Sequence, residues 1–190
     1  MKLDIDILLW INGHYTAWLD TIMWYISKPI TWLPLYALLI AFIALRCRNR
    51  KAVLLILLGF IVAVGLSDFT CSGVLKPLVC RLRPTHEPGL DPLHLVNGYT
   101  GGLYGFCSSH AANTMAVALL FSLLYRNKTA TACLMVWVAL NCYSRMYVGA
   151  HYPTDIICGL AVGALWALLV YWVLSHWLRV GDGVARQGGS

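Results

Sequence analysis

Five long apolar runs, at residues 30–45, 52–75, 111–125, 129–148 and 156–178, dominate this chain, and each is bounded by charges or by segments containing Gly or Pro. A helical membrane crossing takes about 20 residues. Five such runs use most of a 190-residue chain and leave no room for a second folded domain. Composition agrees, with 59% hydrophobic and 12% charged residues, roughly half the charged share of a soluble domain. The pattern rules out a cytosolic globular enzyme. It predicts an all-α integral membrane protein, a helical bundle of about five transmembrane helices in which residues 1–179 form a single domain.

The first thirty residues differ, because Asp4, Asp6, Asn12, His14 and Asp20 interrupt the apolar residues too often for a span. Trp18, Leu19, Ile22, Met23 and Ile26 still recur at helical spacing, and four of the eight tryptophans (Trp10, Trp18, Trp24, Trp32) fall here. Helices lying in the headgroup layer over residues 1–29 satisfy both facts, with an imperfect sixth span as the alternative. The N-terminus lacks a cleavage site and reads as retained. The Gly-rich stretch 180–190 reads as a flexible tail.

The net charge of +6 is compatible with nucleic acid or an acidic surface until the charges are located. Arg46, Arg48, Arg50 and Lys51, then Arg126 and Lys128, then Arg179 sit at the ends of apolar runs, as cytoplasmic loop ends do, and no nucleic-acid patch emerges. Alternation then places the loop 76–107 on the opposite, non-cytoplasmic face. Its part from 85 to 106 holds Pro88, Gly89, Asp91, Pro92, Asn97, Gly98, Gly101, Gly102 and Gly105. A loop of that length and composition is usually functional.

Seven cysteines (47, 71, 80, 107, 133, 142 and 158) include no Cys-x-x-Cys pair, so structural zinc is not expected. Only Cys80 and Cys107 fall on the oxidising side, either bridged or as two thiols. His86, Glu87, Asp91 and His94 lack metal-ligand spacing and read as solvated loop residues. No metal or cofactor is expected.

Six polar groups cluster at span ends on the non-cytoplasmic side: Lys76, Arg83, Ser108 with His110, Arg145, and His151 with Asp155. The positive-inside tendency disfavours Lys and Arg there, and an anionic ligand supplies a reason for them. Cations converging beside two histidines meet the needs of phosphoryl transfer. Lys76 and Arg83 share a face if the chain between them is helical, although Pro77 and Pro84 limit its regularity. Ser108 is placed to cap the next helix, whose free N–H groups form an anion site. Asp155, four residues from His151, is placed to fix its tautomer. Arg81 either touches a headgroup or is a solvated charge. Asp68, about two turns before Lys76, reads as a hydrogen-bond partner of a neighbouring helix rather than as a catalytic acid.

Three segments, Lys76-Pro-Leu-Val-Cys-Arg-Leu-Arg83-Pro84, Cys107-Ser108-Ser109-His110 and Ser144-Arg145-Met-Tyr-Val-Gly-Ala-His151-Tyr-Pro-Thr-Asp155, resemble in order and spacing the signatures of the type 2 phosphatidic acid phosphatase (PAP2) superfamily. The resemblance covers about residues 52–178. The short form is similar to bacterial undecaprenyl-diphosphate and lipid A phosphatases. The resemblance implies a metal-independent lipid phosphatase working through a phosphohistidine. His151 would be the nucleophile, Asp155 its orienter, and His110 the acid and then the base. Lys76, Arg83, Ser108, Ser109 and Arg145 would hold the phosphoryl oxygens. Cys107 and Ser109 depart from the family's usual Pro and Gly, and Ser109 either costs backbone freedom or adds a donor.

The resemblance further implies a multi-pass protein of the bacterial inner membrane whose partners are the bilayer and a lipid phosphate, met at the periplasmic or outer face. Undecaprenyl diphosphate is the first expectation, with lipid A and phosphatidylglycerol phosphate as alternatives. A transporter of anions or lipid phosphates is the rival from another class. It predicts broken helices at mid-membrane and an internal repeat.

Overall fold

The computed structural model describes residues 2–47, 49–90 and 93–187, with residues 179–187 described by backbone alone. The expectations for Arg48, Asp91, Pro92, the Arg179 side chain and residues 188–190 lie outside the described residues. Among the described residues the chain forms α1 (Lys2–Gly13), α2 (Ala17–Ile26), α3 (Leu33–Arg46), α4 (Arg50–Asp68), α5 (Lys76–Val79), α6 (Ser109–Tyr125), α7 (Lys128–Tyr147) and α8 (Pro153–Gln187). No strand occurs among them, and a single bridge pairs Leu82 with Tyr104.

Among the described residues, three stretches are long and apolar enough to cross a membrane: Pro29–Arg46, Arg50–Val79 and Pro153–Leu178. Their outer faces carry Leu38, Leu54, Ile61, Leu165 and Trp172, all exposed, which suits hydrocarbon and not water. α6 is apolar but has only 17 residues. In α7 the buried Asn141, Ser144 and Arg145 dilute an otherwise apolar helix. α1 and α2 have 12 and 10 residues, or about 18 and 15 Å of helix, against a hydrocarbon core of about 30 Å. The stretch 180–187, expected as a flexible tail, continues α8; Gly181 and Gly183 weaken a helix by only about 1 kcal/mol each and no proline stops it.

α6 is the central helix. Ala111, Ala112, Ala116, Ala118 and Leu120 are fully buried where it meets α4, α7 and α8. Small residues let α8 approach it closely. A Cβ on Gly159 would fall on the Ser108 carbonyl oxygen, and one on Gly163 on that of Ala112. This Gly-x-x-x-Gly spacing packs helix on helix without side-chain bulk, and the Ser108 N–H then donates to the Asp155 carbonyl at 3.0 Å. The contact seats the N-terminus of α6 beside the first turn of α8.

At one end of the bundle, tight turns capped by Asn49 and Asn127 join α3 to α4 and α6 to α7, and they carry the basic residues. At the other end, α1 and α2 lie over the loops. Asn12 Nδ2 donates to the carbonyls of His94 (2.9 Å) and Tyr147 (2.7 Å), and its Oδ1 accepts from the His94 N–H at 2.8 Å. Asp20 accepts from Tyr147 Oη at 2.5 Å and pairs with His94 at 2.8 Å, whose ring stacks on Tyr15 at 3.6 Å. His94 is therefore a docking post for the N-terminal helices and not a solvated loop residue. All seven cysteines are free. Cys80 and Cys107 do not meet, since Cys80 sits exposed in a left-handed turn while buried Cys107 faces Cys71, Sγ to Sγ 2.7 Å.

Candidate active site

Between α4 and α5 the helix widens into a π-helical segment, Phe69–Leu75. Just before and within it, the hydroxyls of Ser67 and Thr70 donate to carbonyls one turn back, each at 2.7 Å, and Trp166 Nε1 donates to Thr70 Oγ1 at 3.0 Å. Such widened turns re-aim side chains at functional sites. Here Lys76 Nζ lies 2.8 Å from Ser109 Oγ and 3.2 Å from Ser72 Oγ, and the two hydroxyls are 2.8 Å apart. Ser109 thus contributes a polar side chain to the anion turn.

Lys76 and Arg83 do meet, though not along one helix face. The helix stops at Val79, Cys80 turns left-handed (φ 52°), and residues 81–83 run extended to the Leu82–Tyr104 bridge. Arg83 Nε then donates to the Tyr104 carbonyl at 3.2 Å and Nη1 to that of Ala150 at 3.4 Å. Arg145, buried at the end of α7, donates to Ser27 Oγ and, at 2.9 Å, to Tyr99 Oη. Arg145 opposes the cost of burial on Tyr99 and holds its phenol below the usual range.

Lys76, Arg83, Ser109, His110, Arg145 and His151 line one cavity of about 810 Å³. None of its three cations pairs with a carboxylate among the described residues. Three such cations held partly or wholly out of water are costly unless an anion completes the site. Ser108 does not line this cavity. Its buried hydroxyl caps α6, accepting from the Ala111 N–H at 3.5 Å.

His151 lies in the turn ahead of α8 and is 1% exposed. Burial, and then the charges of Arg145, Arg83 and Lys76, hold its pKa well below the usual imidazole value, so the ring is neutral. Its Nδ1 is 3.7 Å from Asp155 Oδ2, within ion-pair range but beyond a hydrogen bond. The expected tautomer contact is thus longer than expected, because Asp155 is engaged elsewhere. Oδ2 accepts from the Tyr152 N–H at 3.0 Å and Oδ1 from Arg81 Nη1 at 2.9 Å. Arg81 is no solvated charge. Its other nitrogen reaches Asp4 at 2.6 Å and its plane covers the Tyr152 ring at 3.9 Å.

The sequence profile described as the PAP2 superfamily matches residues 53–179, which hold all of these cavity-lining groups. The chain belongs to the PAP2 superfamily. It is a PAP2-type lipid phosphatase and a multi-pass membrane protein. It is 36% identical over 183 residues to the lipid A 4'-phosphatase of Porphyromonas gingivalis, covering 94% of this chain and 77% of that one. Over 173 residues it is 32% identical to the lipid A 4'-phosphatase of Bacteroides thetaiotaomicron, covering 90% and 76%. An undecaprenyl-diphosphatase of Sulfolobus acidocaldarius is 30% identical over 166 residues, covering 85% and 73%. The crystal structure of a PAP2-type phosphatidylglycerolphosphate phosphatase from Bacillus subtilis shares the fold, with a TM-score of 0.66, 24% identity, and coverage of 89% and 83%.

Several residues of this PAP2 site escape sequence reasoning. Ser72, Tyr99 and Ser27 carry no motif, and Asp4 lies 77 positions from Arg81. Asp68 does pair with a neighbouring helix, accepting from Asn113 Nδ2 at 3.3 Å, and both residues line the cavity.

Proposed function

We propose that this protein hydrolyses the phosphate of a glycolipid phosphate of the lipid A type at the membrane surface, through a phosphohistidine. The convergence in one cavity of two histidines and three cations that have no carboxylate partner among the described residues carries this reading. His151 Nε2, the ring nitrogen away from Asp155, attacks phosphorus. The P–O ester bond breaks, and protonated His110 gives its proton to the leaving oxygen, forming the alcohol. Lys76, Arg83, Arg145 and Ser109 hold the non-bridging oxygens, while Ser108 keeps the N–H groups of α6 aimed at them. His110, now neutral, takes a proton from water, whose oxygen attacks phosphorus and releases inorganic phosphate and neutral His151. Asp155 steadies the positive charge carried by the ring. The cations supply the charge a metal would otherwise supply, so the reaction is expected to run without one.

The cavity also bears on the leaving group. Asn113 lies one turn beyond His110 on α6, about 4.5 Å along the axis, and with Asp68 it presents polar atoms below the histidines. A sugar bearing hydroxyl or amide groups can pair with them, whereas a prenyl chain brings no partner. The two lipid A 4'-phosphatase relatives point the same way, and the undecaprenyl-diphosphatase relative keeps undecaprenyl diphosphate as the second reading. We read residues 1–179 as one domain in which α3, α4 with α5, α6, α7 and α8 cross a bacterial inner membrane five times. α1 and α2 then lie at the interface and the cavity faces the periplasm, with the basic turns cytoplasmic. Phosphate release in detergent from lipid A, undecaprenyl diphosphate and phosphatidylglycerol phosphate, with H151A as blank and with EDTA or vanadate added, tests the proposal. Lipid A should be hydrolysed fastest, with EDTA without effect and vanadate inhibitory. Activity lost in EDTA and restored by Mg²⁺ contradicts the mechanism.

A further inference from the structure

Asp155 and His151 do not form a closed pair, because the carboxylate is itself clamped from outside. Arg81 donates from one nitrogen to Asp155 Oδ1 (2.9 Å) and Thr154 Oγ1 (2.6 Å), and from the other to Asp4 Oδ2 (2.6 Å). Asp4, in the first turn of α1, also accepts from the Thr154 N–H at 2.9 Å and Thr154 Oγ1 at 2.5 Å. Asp4 is 6% exposed and Asp155 fully buried, while Arg81 retains 21% exposure with its face on Tyr152. Burial opposes the charge on Asp4, but the hydrogen bonds from Thr154 and Arg81 outweigh it and hold Asp4 below the usual carboxylate range. The clamp is thus one guanidinium shared by two carboxyl groups, one of them contributed by a helix outside the residues the PAP2 profile matches.

We propose that Asp4 and Arg81 are positioning residues for catalysis, which fix Asp155 beside His151 and divide the charge of Arg81 between two carboxylates so that Asp155 keeps negative charge for the imidazole. The inference rests on the phosphohistidine reading above. Without Asp4 the guanidinium would keep its contacts with Asp155, Thr154 and the Tyr152 ring, but its second nitrogen would lose its partner and its charge would fall on Asp155 alone. Asp4 prevents both, fixing the guanidinium plane through a second bond and taking part of its charge. α1 thereby becomes part of the active-site apparatus. The charged or titratable side chains around Asp155 are Asp4 from α1, Arg81 from the loop after α5, His151 and Tyr152 from the turn before α8, and Cys158 from α8 itself.

Full-length protein in detergent tests this with D4N, R81K, R81A, the double variant D4N/R81A and H151A, reading kcat and KM for a lipid phosphate alongside the melting temperature. D4N is expected to lower kcat about tenfold with KM unchanged, as small displacements of a reacting group do. R81A should lose about 100-fold, and D4N/R81A should lose no more than R81A, since Asp4 acts through Arg81. Losses that add in the double variant, a D4N defect seen in KM rather than kcat, or a D4N enzyme with normal kcat overturn the inference. If D4N does not fold, R81K carries the test. A lysine keeps the charge but cannot span two carboxylates, so kcat should fall about tenfold at constant KM, and an unchanged kcat overturns the clamp. H151A that still turns over removes the phosphohistidine reading and the clamp with it. Inactive H151A with normal D4N removes the clamp alone.

Discussion

His151 sits 3.7 Å from Asp155 within a ring of three cations, and its depressed pKa has a consequence for stability. On unfolding the imidazole regains its ordinary value near 6.5, so acidification favours the unfolded chain. The contribution of His151 is intact above pH 6.5 and falls by about 1.4 kcal/mol per pH unit below it until the folded pKa is reached. Melting temperature should therefore drop more steeply between pH 7 and pH 5 in the wild type than in H151N, measured in one detergent, and equal slopes contradict a neutral buried ring. His110→Ala should be slowed about 10²- to 10⁴-fold on alkyl phosphates and much less on p-nitrophenyl phosphate, whose leaving group needs no proton. Equal losses on both remove His110 as the acid. Lys76, Arg83, Ser109, His110, Arg145 and His151 were all legible in the sequence, because each lies in a short motif at a span end. Asp4 and Ser72 were not, because their partners are distant in sequence and a lone Asp or Ser near an apolar run has many unremarkable explanations. Arg81 stood beside a motif, and only the fold shows that both ends of its guanidinium are occupied.

At the scale of elements, the apolar runs predicted where α3, α6 and α7 lie and where α4 and α8 begin to within a few residues, since burial or lipid exposure writes itself into composition, whereas α4 gives way to the π-helical segment after Asp68 and α8 runs on to Gln187. The π-helical segment Phe69–Leu75 was not foreseeable, because one widened turn leaves no hydrophobic period of its own. The α6–α8 contact at Gly159 and Gly163 shows how an element places chemistry. The two helices touch backbone to backbone, and that contact holds Ser108 against Asp155. Gly163→Leu must push on the Ala112 carbonyl, one turn beyond Ser108, and overpacking of this kind costs roughly 1–3 kcal/mol. The variant is expected to melt lower and to lose phosphatase activity at temperatures where it remains folded. A Gly163→Leu protein with wild-type activity and melting would show that the close approach does not set the site.

For the whole molecule, the charge pattern splits into two groups at opposite ends, Arg46, Arg50, Lys51, Arg126 and Lys128 at one and Lys76, Arg83 and Arg145 at the other. With the first end cytoplasmic, a membrane-impermeant maleimide should label exposed Cys80 in intact spheroplasts and should reach N127C only after permeabilisation. The reverse pattern would invert the proposed topology. The long loop 85–106 and the helices α1 and α2 were legible as separate features, but not their union through Asn12, His94 and Asp20, which depends on side chains reaching across the whole fold. The central claim, that a lipid phosphate passes its phosphoryl group to His151, is tested most directly by acid-free trapping of enzyme mixed with ³²P-labelled lipid A. Label is expected on the protein, labile in acid, stable in base, mapped to His151 and absent in H151A. Label that persists in H151A, or turnover by H151A at the wild-type rate, contradicts it.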